Sequence, residues 1–114
     1  IYEDENYFAF LDINPLQKGH TLVIPKKEDD YIFNLDDATY SGLMMTAKKI
    51  AAAIKESTNC KRVGVTVLGM EVPHVHIHLV PMNSEKDMLF SNPKMELSKE
   101  EFEAIAADIA KRVK

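Results

Sequence analysis

Three histidines alternate with apolar residues in one run, HVHIHLV (His74–Val80), bracketed by Pro73 and Pro81. A period of two belongs to a strand with two unlike faces. His74, His76 and His78 then share one face, and Val75, Ile77 and Leu79 share the other. The apolar set is expected to pack beneath helices, leaving the imidazoles on an open sheet face. Packing alone gains nothing from three neighbouring polar rings, so the run points to chemistry.

The rest of the chain supplies the sheet and the helices. Tyr7–Ile13 (YFAFLDI), His20–Ile24 (HTLVI) and Arg62–Leu68 (RVGVTVL) read as further strands, with a weak acidic one starting at Ile1–Tyr2. Asn14-Pro15, Lys18-Gly19 and Gly69 mark loops. From Tyr40, the apolar residues Leu43, Met44, Ala47, Ile50, Ala51 and Ile54 follow helical spacing. Asp36 is the expected N-cap and Ser57–Asn59 the stop. Met82–Leu97 reads as polar loop. Ser98 and Glu101 form a capping-box signature ahead of a final amphipathic helix through Phe102, Ile105, Ala106, Ile109 and Val113.

Strands and helices do not alternate regularly, and two strand pairs have short connections, which favour antiparallel neighbours. The expected class is α+β: an antiparallel sheet of about five strands with two helices on one face. With 114 residues, 46% apolar and 28% charged, one globular domain over residues 1–114 is expected.

A net charge of −4 without a basic stripe argues against nucleic acid as a partner. No apolar run is long enough for a membrane helix, and no leader pattern opens the chain. Cys60 stands alone, which fits a reducing compartment; the expected location is cytoplasmic. The chain opens at Ile1 rather than Met, so a preceding segment is expected.

The imidazoles admit two chemistries. Two alternate histidines can converge on a metal, but His74 and His78, about 13 Å apart along a strand, cannot easily share one. A third ligand would come from His20, Glu71 or Asp12. Alternatively, neutral imidazole is a nucleophile near pH 7, provided one ring nitrogen is fixed by a hydrogen bond so that the other can attack. The middle position, His76, suits that role best, with donors on both sides for phosphoryl oxygens.

At this point the residues resemble a known family. HVHIHLV fits the histidine triad pattern, and FLDINPLQKGHTLVIPKK (Phe10–Lys27) looks like the family's other characteristic block. The likeness runs from about Tyr2 to Pro81 and lies nearest the Hint-like branch. It implies a hydrolase or transferase acting at the α-phosphorus of a nucleoside phosphoramidate or related nucleotide, through a nucleotidyl-histidine intermediate. By that resemblance, His76 is the nucleophile, while His74 and His78 contact phosphate oxygens and the leaving group. His20 is the fourth active-site histidine, Asp12 binds the ribose hydroxyls, and Phe10 and Ile13 line the base pocket. It further implies a homodimer paired through the long helix and a strand, and a nucleotide as partner. Because imidazole is itself the nucleophile in this reading, neither cofactor nor metal is expected.

Each assignment has a plainer counterpart. Asp12 could initiate the turn at Asn14-Pro15, His20 could simply open a strand, and Phe10 and Ile13 could be core. Met44 and Met45 read as helix packing, and Lys26 and Lys27 as a solvated pair. The chain also departs from the Hint-like pattern before the triad. In LGMEVPH, Gly69 is kept, but Met70 stands where Gln is usual and Glu71 where Ser or Thr is usual. A carboxylate there would repel phosphate or recognise a cationic leaving group. Two other readings stand beside the enzyme: a nucleotide-binding module with little turnover, and a metal-binding protein using triad histidines.

Overall fold

Two antiparallel strand pairs are joined into one sheet by their inner members. The computed structural model describes every residue from Ile1 to Lys114. Its strands are β1 (Tyr2–Glu3), β2 (Tyr7–Leu11), β3 (Thr21–Pro25), β4 (Arg62–Thr66) and β5 (Ile77–Met82). They lie in the order β1-β2-β3-β5-β4, all neighbours antiparallel. The β3–β5 seam, with Leu22 opposite His78 and Val23 opposite Ile77, brings the His20 region against the triad.

Alternation separates the two faces. Tyr7, Ala9, Val23, Ile77 and Leu79 are buried in a core shared with Leu43, Ala47, Ile50 and Ile54 of α1 (Asp37–Thr58) and Ile109 of α2 (Lys99–Arg112). Burying a Leu or Ile side chain fully stabilises by about 1.5–3 kcal/mol, so this layer holds the helices to the sheet. Asp36 caps α1, its carboxylate accepting from the Thr39 N–H. Asn59 ends the helix in the left-handed conformation. Ser98 and Glu101 form a reciprocal capping box on α2. No helix is long and apolar enough to cross a membrane.

The triad strand begins later than the sequence suggests. β5 starts at Ile77, so His74 and His76 precede the regular ladder. The register explains why. Continuing the Val23–Ile77 pairing would set Val75 opposite Pro25, which has no N–H to give. The Val75 N–H instead donates to the Asp29 carbonyl at 2.8 Å, which keeps the segment extended. Pro81, expected to stop the strand, lies inside it. β5 has run past β3 at that point, so the missing N–H leaves no gap on that side. Two short 3₁₀ turns, Ile32–Asn34 and Glu85–Met88, occupy stretches without strand or helix patterning.

Candidate active site

The open face of the sheet forms the floor of a cavity of about 660 Å³. Phe10, Leu22 and Ile24 supply apolar floor, and His74, His76 and His78 a polar ridge beside it. Asp12 and Asn14 enter from the loop after β2, and Leu68 to Val72 form a wall. Phe90 and Lys94 come from the segment before α2.

Hydrogen bonds assign a proton to each imidazole. The Leu16 N–H donates to His20 Nδ1 at 3.0 Å, so neutral His20 carries its proton on Nε2. That Nε2–H donates to His78 Nδ1 at 3.0 Å. His78 therefore keeps its own proton on Nε2. His76 Nδ1 lies 2.7 Å from the His74 carbonyl, which can only accept, so the His76 proton is on Nδ1. Its Nε2 is left with a free lone pair. His74 Nε2 donates to the Pro25 carbonyl at 2.8 Å.

The buried pair, His20 and His78, is held toward the neutral form. Burial pushes His78 down to about 4; positive charge on His20 or His76 would lower it further, and Asp12 opposes the shift. Burial also lowers His20, again opposed by Asp12.

The sequence candidates are placed as follows. His74, His76, His78, Asp12, Phe10 and Glu71 line the cavity. His20 does not line it; it is 1% exposed and backs His78 from beneath. Ile13 is 79% exposed and lies outside the cavity lining. Asp12 is divided: Oδ1 accepts the Asn14 N–H at 2.8 Å, closing the turn, while Oδ2 stands 3.6 Å from His20 Nε2. Glu71 sits on the exposed wall next to Met70.

Leu22, Ile24, Phe90 and Lys94 were missed. The alternation in HTLVI, with Thr21 and Val23 on one face and Leu22 and Ile24 on the other, could have found the first two. Nothing local in Met82–Leu97 marks Phe90 or Lys94.

Asp12, His20 and His78 have ligand atoms within 4.8 Å of one another, the spacing of a metal site. The donor chemistry does not fit one. His20 Nδ1 is occupied by the Leu16 N–H, so Nε2, the atom facing the cluster, bears the proton of the neutral ring. Ligation there would require an imidazolate or loss of the Leu16 bond.

A second concavity, of about 510 Å³, lies at the C-terminal end of α1. Its Ser57 hydroxyl and Asp108 carboxylate are bonded to each other, and it carries no imidazole.

A buried donor pair behind a free imidazole nitrogen, on the open face of an antiparallel sheet, describes a histidine triad protein. The HIT domain matches residues 1–85, and the chain belongs to that family. An uncharacterized HIT-like protein of Borreliella burgdorferi is 34% identical, covering 99% of this chain and 87% of that protein. The adenosine 5'-monophosphoramidase hnt1 of Schizosaccharomyces pombe is 34% identical over 93% of this chain and 81% of its own length. A zinc-bound histidine triad family protein of Mycobacterium smegmatis superposes with a TM-score of 0.78 at 29% identity, covering 97% of this chain and 83% of that one.

Proposed function

We propose that this chain hydrolyses nucleoside phosphoramidates or related nucleotides at the α-phosphorus, with His76 as nucleophile. The observation that carries the reading is the His76 tautomer. With Nδ1–H committed to the His74 carbonyl, Nε2 offers its lone pair toward the cavity. The monophosphoramidase activity named for the fission yeast relative supports the substrate class.

In the first step His76 Nε2 forms a bond to phosphorus as the P–N bond of the substrate breaks. The amine leaves with a proton drawn from the site or from water. The ring becomes cationic, and the His74 carbonyl, already accepting from Nδ1–H, stabilises that charge. The His78 Nε2–H is available to a phosphoryl oxygen. Water then attacks phosphorus and gives up a proton to the site or solvent, replacing the one taken by the amine; the bond to His76 breaks, and nucleoside monophosphate is released as His76 recovers its lone pair. Phe10, Leu22 and Ile24 offer an apolar platform for a base, and Asp12 Oδ2 an acceptor for ribose hydroxyls. Imidazole supplies the nucleophile, so no metal takes part in these steps.

The test is release of AMP from adenosine phosphoramidate in the presence of chelator, comparing the wild type with His76→Ala. The reading expects turnover that disappears in the variant. It also expects an intact-mass adduct of one nucleoside monophosphate on the quenched wild type. Tight AMP binding without turnover would replace it with a binding module.

We further propose a homodimer. β4 is an edge strand with Val65 exposed, and Met45 of α1 and Phe33 are exposed apolar groups without a cover. Light scattering at micromolar concentration reads the mass directly; a monomer there removes this reading.

A further inference from the structure

The segment between the second 3₁₀ turn and α2 lies beyond the matched HIT region and crosses the histidine site. Two bonds fasten it. The Asn92 side-chain amide donates to the Lys86 carbonyl at 2.6 Å, and the Met95 N–H donates to the Pro15 carbonyl at 2.8 Å. The second anchor is informative, because the same peptide unit contributes the Leu16 N–H to His20 Nδ1. One plane thus holds the strap by its oxygen and sets the proton of the buried histidine by its nitrogen.

Just ahead of these anchors the strap delivers Phe90. Its ring centroid is 4.9 Å from His78 and 6.3 Å from His20, edge-on at 75° and 73°. Phe90 is not part of the hydrophobic core shared by the sheet and the helices. It is half-buried, and its ring contacts are with this pair and, at 6.0 Å, the Lys94 ammonium. A phenyl ring in a polar segment is thus packed on two imidazoles rather than on the core, beside their buried hydrogen bond.

We infer that Phe90 is a positioning residue for the chemistry of the triad. By capping the His20–His78 pair, it holds a single proton arrangement in which His78 presents one N–H to the cavity. The link to catalysis rests on the phosphoramidate reading; the capping itself does not.

The groups facing His78 are His20 from the loop before β3, Asp12 from the loop after β2, His76 on its own segment, and Lys94 on the strap. Protonation of His78 would place an N–H on Nδ1 against the His20 N–H and break the chain of donors. Burial is the largest cause resisting that protonation, and the Phe90 ring, 4.9 Å away, is packed on the His78 ring. Shortening Phe90 admits water and makes the wrong protonation state easier to reach.

The experiment follows the His78 ring by NMR against pH in the wild type, Phe90→Ala and Phe90→Leu, with kcat/KM of phosphoramidate hydrolysis over the same range. In Phe90→Ala the His78 midpoint is expected to rise by roughly one pH unit or more, toward that of a solvated imidazole. The acid limb of kcat/KM is expected to move with it. Phe90→Leu, which restores apolar bulk, is expected to return most of the way on both readouts. Equal midpoints in the wild type and Phe90→Ala overturn the inference whatever the activity. A moved midpoint with an unmoved kcat/KM profile overturns the positioning role. A moved midpoint in a protein whose wild type shows no turnover sustains the cap and removes the phosphoramidate reading instead.

Discussion

His20 Nε2 lies 3.0 Å from His78 Nδ1, and the Leu16 amide at the far side of the His20 ring sets the direction of the proton between them. The pair is a one-way conductor of orientation: backbone N–H to His20, His20 to His78, His78 to whatever occupies the cavity. Replacing His20 by Phe keeps a flat ring in the buried slot and removes both polar contacts. A buried acceptor left without its donor costs about 1–3 kcal/mol, so the variant is expected to unfold at lower denaturant by that amount. Loss of the partner that orients His78 is also expected to lower kcat. Urea titration and kcat read the two effects separately. A stable variant with undiminished kcat would show that the His78 tautomer does not matter.

The same pair gives stability a pH dependence of known sign. His78 is held at about 4 in the folded chain, against 6.5 for an ordinary imidazole. Between those values the unfolded chain binds a proton that the folded chain refuses. The contribution is complete above 6.5 and is lost as pH falls toward 4, by on the order of 3 kcal/mol for this group. His20 shifts in the same direction, chiefly by burial. Asp36 and Asp108, held near 2 mainly by hydrogen bonds from Thr39 and Ser57, lose their contributions only below their ordinary value of 3.8. Unfolding measured from about pH 7.5 down to about 4.5 therefore reports chiefly the histidines. His78→Gln is expected to flatten the curve, and an unchanged slope in that variant would assign it elsewhere.

The triad was legible because its alternation is a local pattern and its apolar partners had to face a core. The caps at Asp36 and Ser98 were legible for the same reason: capping needs only residues within three positions. The start of β5 was not. It depends on Pro25, fifty residues earlier, falling opposite Val75 through the β3–β5 register. His20 was singled out through resemblance to the family rather than from the strand pattern. Its burial behind His78 and its contact with the Leu16 amide follow from the turn at Asn14-Pro15. Phe90 was invisible because its partners are two imidazoles from distant segments, not an apolar stripe.

Two glycines test how closely the sheet and its coverings approach. A Cβ on Gly42 of α1 would fall inside the Tyr7 hydroxyl, with the ring carbons just behind. Tyr7 is buried in β2, and its hydroxyl donates to the Thr39 carbonyl at 3.1 Å, so it has little room to yield. Gly42→Ala gains about 1 kcal/mol in helix propensity but incurs overpacking of about 1–3 kcal/mol, and a net loss is expected. Gly64→Ala would meet the Met82 sulfur and the Met88 methyl, the far ends of flexible chains, and is expected to be nearly neutral. Thermal melts of the two variants should separate clearly. If Gly42→Ala proves as stable as the wild type, helix and sheet are not held as close as the structure has them.

Glu71 is expected to distinguish among leaving groups. It stands on the cavity wall, on the exposed stretch with Met70, where the Hint-like pattern has Ser or Thr. A carboxylate there repels a second anionic group and attracts a protonated amine carried on the departing side. For a phosphoramidate whose amine bears a distant ammonium, an exposed ion pair is worth roughly 0.2–1 kcal/mol, or about 1.5- to 5-fold in kcat/KM. Glu71→Gln is expected to lose that factor on the cationic substrate, keep its rate on a neutral one, and gain on a nucleoside polyphosphate. Raising the salt concentration should shrink the difference, because the pair is solvent-exposed. Comparing kcat/KM for three AMP derivatives that differ only in leaving-group charge measures this. If the wild type and Glu71→Gln rank the three identically, the carboxylate is turned to solvent and specificity resides in the triad and the apolar floor.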